Sequence, residues 1–251
     1  MEAEIKRING ERKECIMREN RLAVCILSLS LLFTGCHGQA GDAAMASDDT
    51  NRQENTTAIE DPAIVDTPIL QNEYRTQLQR EYSLRHYGES MTEIVPQAVV
   101  VHWTGASTVE STYHWFYKPN YSDGTLNVAS QFLVGRDGTI YRLAPETSLC
   151  RHAIGYNWCA IGIENVGGSG DTENLTEDQL EANIRLIRYL HQKYPTIGYV
   201  FGHYQQVAAR ASGLYRENVP GYHSIKADPG QWFMRGLREN LSQEGIVFYP
   251  E

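Results

Sequence analysis

The chain has 251 residues, 41% of them hydrophobic and 21% charged, with 22 basic against 31 acidic side chains for a formal charge of −9. That balance excludes a polybasic nucleic-acid binder, because no basic patch is available to neutralise phosphates. The acidity is uneven: residues 37–66 hold seven acidic residues and one basic, whereas 67–251 carry only −4.

Three segments emerge in chain order. Residues 1–36 read as an export leader. Arg18 and Arg21 precede the apolar run Leu22 to Phe33, which is too short to span a bilayer comfortably. Phe33-Thr34-Gly35-Cys36 resembles a lipobox, so Cys36 is the expected site of lipid attachment, anchoring the chain to a membrane of the cell envelope and facing the periplasm, with the outer membrane favoured. Residues 37–66, rich in Asp, Ala, Thr, Asn and Gln, cannot bury enough apolar surface to offset ordering entropy and are expected to form a flexible tether. Residues 67–251 are of a size for one domain.

Within that domain, Leu70, Tyr74, Leu78 and Tyr82 recur every four residues and predict an amphipathic helix ending near Gly88, its stripe packed on the core. Gln97–Trp103 reads as a buried strand, and Ser107–Phe116 as a helix capped by Ser107 or Thr108. Residues 130–134 and 139–143 flank Gly135-Arg136-Asp137-Gly138, whose Asp-Gly pair is a hairpin signal. Ala160–Val166 reads as a strand. Thr176 and Gln179 form a capping-box pattern before a helix presenting Leu180, Ile184, Ile187 and Tyr194. A strand at Tyr199–Gly202 and a final helix from Pro229 or Gly230 complete the series. The expected fold class is α/β: a central mixed β-sheet flanked by helices.

The chemistry-bearing residues sit at the ends of these strands. His102 and His203 each end an apolar run, and Asp228 lies in Lys226-Ala227-Asp228-Pro229-Gly230. Two imidazoles and a carboxylate, with a fourth position left for water, make up a catalytic zinc shell. His223, five residues before Asp228, competes with His203 for that role. Glu164, on the Gly162 face of its strand, is a carboxylate in an apolar run and suits proton transfer near an activated water. Lys226 is placed to hold a developing oxyanion. Cys150 and Cys159 fit either a disulfide or two buried thiols.

Taken together, Val99-Val100-Val101-His102-Trp103-Thr104, Gly135-Arg136-Asp137-Gly138-Thr139-Ile140-Tyr141, Arg151-His152-Ala153-Ile154-Gly155, Asn157, Ile161-Gly162-Ile163-Glu164, Gly202-His203 and Lys226–Gly230 resemble, in order, the zinc-dependent N-acetylmuramoyl-L-alanine amidases of the type-2 amidase family, relatives of the peptidoglycan recognition proteins. The resemblance implies a single zinc amidase domain with that fold. It implies zinc on His102, His203 and Asp228, with Glu164 as acid–base and Lys226 stabilising the transition state. His152 and Asn157 match a loop lining the substrate cleft. The implied partners are peptidoglycan or muropeptides, with no nucleic acid. Hydrolysis of the bond between N-acetylmuramic acid and L-alanine is the expected activity. A non-catalytic peptidoglycan-binding module, an amidase restricted to anhydro-muropeptides and a zinc peptidase cutting stem peptides are the alternatives. The 24 residues from Tyr204 to Ala227 form an insertion longer than compact members of the family carry.

Overall fold

The computed structural model describes residues 61–250. The leader, Cys36 and the tether as far as residue 60 lie outside the described residues. Among the described residues, seven strands form one sheet: β1 (Ile64–Asp66), β2 (Ala98–Trp103), β3 (Phe132–Val134), β4 (Ile140–Arg142), β5 (Ala160–Asn165), β6 (Tyr199–Gly202) and β7 (Val247–Phe248). Their order is β1-β4-β3-β5-β2-β6-β7, parallel throughout except for the β3–β4 hairpin. Four α-helices accompany it: α1 (Glu73–Tyr87), α2 (Val109–Tyr117), α3 (Glu177–Lys193) and α4 (Gln231–Leu241). The mixed sheet with flanking helices is the architecture the alternating pattern predicts.

The central strands are parallel and covered on both faces, which is why they read as continuous apolar runs. Val99, Val101, Ile161, Ile163 and Val200 pack with Leu186, Ile187 and Leu190 of α3 and Phe233 and Leu237 of α4. Each such side chain contributes roughly 1.5–3 kcal/mol when fully buried. The opposite face, Ala98, Val100, Ala160 and Phe201, is covered by Ala153, Tyr156 and Ala209 from the loops. Leu133 of β3 points to this second face as well and packs with Phe116 of α2.

Local chemistry fixes the connections. Gly138, at φ +78°, closes the hairpin by donating to Gly135 O, while the Asp137 carboxylate accepts from the Thr139 amide and hydroxyl. Helix α3 starts with a reciprocal cap: Gln179 N donates to Thr176 Oγ1 at 3.1 Å and Thr176 N to Gln179 Oε1 at 3.0 Å. The Gln179 amide also donates to Val134 O and Val166 O, bolting the helix start to the sheet.

Two expectations need correction. The tether was expected to reach residue 66, but Ile64–Asp66 is β1, an edge strand paired with β4. Its polar neighbours hid it, since an edge strand requires pairing more than burial. Helix α1 begins at Glu73, capped by Asn72, and ends at Gly88. Leu70 therefore precedes it and Tyr74 is exposed. The buried face turns instead through Arg75, Leu78, Gln79, Tyr82, Ser83, His86 and Tyr87. Its polar groups are satisfied: Gln79 Nε2 donates to Leu149 O, and Arg75 donates to Leu70 O and to Phe116 O and Tyr117 O at the end of α2. Cys150 and Cys159 are free and buried, and burial pushes both thiols up to about 12.

Arg75 thus supplies the donors for terminal carbonyls of α2 that no helical amide can reach. Arg75→Met is expected to cost about 3 kcal/mol, because it strands buried carbonyls without partners. A denaturant midpoint unchanged from the wild type would contradict this bridge.

Candidate active site

The parallel register of β5, β2 and β6 assembles the site. His102 and Glu164 are paired across β2 and β5, so their side chains emerge on one face. His203 follows directly after β6, at the same carboxyl end of the sheet, where open α/β sheets bind ligands. Asp228 is brought back to this end by the hydrogen bond from Tyr204 N to its carbonyl, 2.9 Å. These residues line a cleft of about 590 Å³ together with Trp103, Trp115, Tyr121, His152, Ile225 and Lys226.

His102 Nδ1, His203 Nδ1 and Asp228 Oδ2 form a near-equilateral triangle with sides of 2.9, 3.2 and 3.2 Å. All three residues are buried, and among the described residues they form the group of His, Cys, Asp and Glu able to share a metal ion. Three electron-rich atoms this close repel unless a proton or cation lies among them. Tetrahedral zinc with bonds near 2.0–2.1 Å requires donor separations of about 3.3 Å, so the triangle fits that ion closely. His223 takes no part: it is exposed and its Nδ1 lies 2.9 Å from Gly221 O.

His152 lines the cleft, as the resemblance implies, whereas Asn157 lies behind it. His152 lies on the cleft floor, against His102: its Nδ1 is 3.1 Å from His102 Nε2 and its Nε2 is 3.1 Å from Ala160 O. A carbonyl only accepts, so His152 Nε2 carries the proton. Its Nδ1 then accepts from His102 Nε2–H, which leaves His102 Nδ1 as the lone pair facing the triangle. His152 therefore selects the metal-ready tautomer of His102. Gly162 makes room for it, since a Cβ there would come within 2.8 Å of the ring. Asn157 is fully buried and absent from the cleft wall. Its Oδ1 accepts from the His152 and Ala153 amides, and its Nδ2 donates to Tyr82 Oη. It shapes the loop that presents His152, because amides in a tight turn have no ladder to join.

Burial, reinforced by His102, holds the His152 imidazole well below its usual range and lowers His203 to about 4. Burial alone would raise Asp228, but the adjacent His102 and His203 imidazoles outweigh it and hold that carboxyl well below the usual range. Glu164 goes the other way. Burial and then the neighbouring Asp228 push it well above the ordinary carboxylate value, with Lys226 partly opposing them. Its Oε2 is cut off from water and has no hydrogen-bond partner among the described residues. A carboxylate so placed is an effective proton acceptor and donor.

Trp115 and Ile225 also line the cleft. Trp115 had a visible signal: it falls off the Thr112–Phe116 stripe that buries α2, yet is large and apolar. The insertion that carries Ile225 is firmly held. Glu217 is 2.8 Å from His86 Nδ1, Asn218 N donates to His86 O, Arg216 N to Gly155 O, and the Trp158 indole to Leu214 O.

The family model described as N-acetylmuramoyl-L-alanine amidase matches residues 92–231. The endolysin of Escherichia phage T7 is 35% identical over 92 residues, which is 35% of this chain and 60% of that protein; the chain thus spans less than two thirds of this relative. Among solved structures, the endolysin amidase LysCS of Clostridium intestinale is 21% identical, with 75% of this chain and 99% of that one covered at a TM-score of 0.43. Bumblebee PGRP-SA is 17% identical, with 75% and 98% covered at 0.47.

Two outcomes are expected. His152→Ala should weaken zinc binding about 10–100-fold, measured by competition with a chelating dye, because His102 loses its tautomer partner. Unchanged affinity would remove that role. In chelator-treated protein, an unfolded His203 binds a proton between pH 6.5 and about 4 that the folded one does not. Stability should therefore fall as pH drops through this window, by up to about 3 kcal/mol from this residue. Equal urea midpoints at pH 7 and pH 4.5 would contradict a buried neutral His203.

Proposed function

Because the chain belongs to the N-acetylmuramoyl-L-alanine amidase family, we propose that it is a zinc-dependent hydrolase of the amide joining N-acetylmuramic acid to the L-alanine of the stem peptide, acting in cell-wall turnover or remodelling. The observation that carries this reading is the triangle of His102, His203 and Asp228 beside the partnerless Glu164 oxygen. A binding module has no need of a desolvated carboxylate next to a complete donor set.

His102, His203 and Asp228 would hold the ion. When bound, zinc supplies a Lewis acid that polarises the scissile carbonyl and acidifies water. Glu164 accepts a proton from the attacking water as its oxygen bonds to the carbonyl carbon. Its raised proton affinity suits it to pass that proton to the departing nitrogen as the C–N bond breaks. The products are a muramic acid carboxylate and a peptide with a free L-alanine amine. Lys226, exposed at the cleft, contributes positive charge where the carbonyl oxygen becomes an oxyanion. His152 keeps His102 in the ligating tautomer, and Asn157 keeps His152 in place.

The test is digestion of peptidoglycan and of anhydro-muropeptides by the intact chain, with products identified by mass spectrometry. Chelator-sensitive release of peptides beginning with L-alanine is expected, and Glu164→Gln should lower kcat about 10²–10⁴-fold with zinc content unchanged. Cleavage within the stem peptide, or full activity in Glu164→Gln, would overturn the reading.

A further inference from the structure

One wall of the cleft is aromatic and open. Trp115 is 51% exposed, although its helix neighbour Phe116 is in the core. Its ring meets Tyr121 edge-on, with centroids 5.9 Å apart at 64°. Both line the cleft that holds the three donors.

The exposed Trp115 and half-buried Tyr121 are supported from below. Buried Asn127 donates to Trp115 O at 2.8 Å and to Lys118 O at 3.1 Å, fixing the end of α2 beneath the indole. The Arg151 guanidinium lies 5.0 Å from the Tyr121 ring centroid and 5.5 Å from that of Tyr82, and donates to Tyr222 Oη of the insertion at 2.9 Å. Large apolar surface left in water but held in one geometry is the signature of a binding surface, because little rotamer freedom remains to be lost when a ligand arrives.

The lining also indicates what the ligand is. Trp115 meets uncharged Tyr121 in the cleft, whereas Lys226 acts electrostatically on Glu164 and His203. Helix α2 packs over β3, and β5 and β2 lie between β3 and β6. The electron-rich face of an indole attracts weakly positive C–H groups. A pyranose ring presents such groups on its flat face and keeps its hydroxyls toward water. A stem peptide, by contrast, carries ionised groups.

We infer that Trp115, braced by Tyr121, is a carbohydrate platform that stacks a neutral pyranose of the glycan strand. This rests on the amidase reading for its substrate, but the platform is tested without turnover. The full chain is titrated with a neutral N-acetylglucosamine tetrasaccharide while indole N–H resonances are followed by NMR, the Trp115 signal being the one lost in Trp115→Ala.

The expected result is a shift of that signal. Trp115→Ala should weaken tetrasaccharide binding about tenfold or more, Trp115→Phe should keep most of it, and Trp232→Ala, an exposed indole outside the cleft, should bind as the wild type. On glycan-bearing amide substrate, Trp115→Ala should lose more in KM than in kcat. Binding that persists in Glu164→Gln, or in a wild type that hydrolyses nothing, supports the platform whatever becomes of the amidase. No shift of the Trp115 signal, or equal affinity and KM in Trp115→Ala, overturns the platform and leaves the amidase reading intact.

Discussion

The site depends on the in-register parallel pairing of β5, β2 and β6. Side chains on adjacent parallel strands share a face and a height, so one register decides both the His102–Glu164 neighbourhood and the arrival of His203. A slip by one residue would turn His102 into the helix-covered core and bring a valine to the cleft. The apolar packing of Val99, Val101, Ile161 and Ile163 against α3 and α4 is what makes that slip costly. Core burial and catalytic geometry are therefore enforced by the same alternation.

On this frame stands a series of buried polar contacts, each fixing the next. Tyr82 receives Asn157, Asn157 receives the amide of His152, and His152 receives His102. None of these groups could be buried alone without losing its hydration, so each is satisfied by its neighbour. The chain runs from α1 to the triangle of donors, which gives an N-terminal helix with a polar inner face a part in positioning the chemistry. The insertion adds a second route, through Glu217 and His86 to the same helix.

Much of this was legible in the sequence, for identifiable reasons. The long, continuously apolar central strands, the Asp-Gly hairpin and the Thr176–Gln179 cap are local signals and fall where the residues predict them. His102, Glu164 and His203 were readable because strand ends are where a sheet can present polar side chains, and Asp228 stands in the turn before α4. The choice between His203 and His223 was not local: it depends on how the insertion folds back. The partners of His152 and Asn157 were equally hidden, since their contacts to His102 and Tyr82 join segments 50 and 75 residues apart. Short edge strands such as β1 and β7 exist through pairing and leave almost no pattern of their own.

The edge position of β1 has a mechanical consequence. Residues 1–60 join the domain through this strand, whose partner β4 is separated from Glu164 by β3 and from His102 by β3 and β5. A pull transmitted along the chain from that side would load the β1–β4 hydrogen bonds and the Asp66–Arg142 ion pair first. Those contacts act as a first fastening, and only when they shear does traction on the N-terminal side reach α1, whose Tyr82 supports the His152 loop.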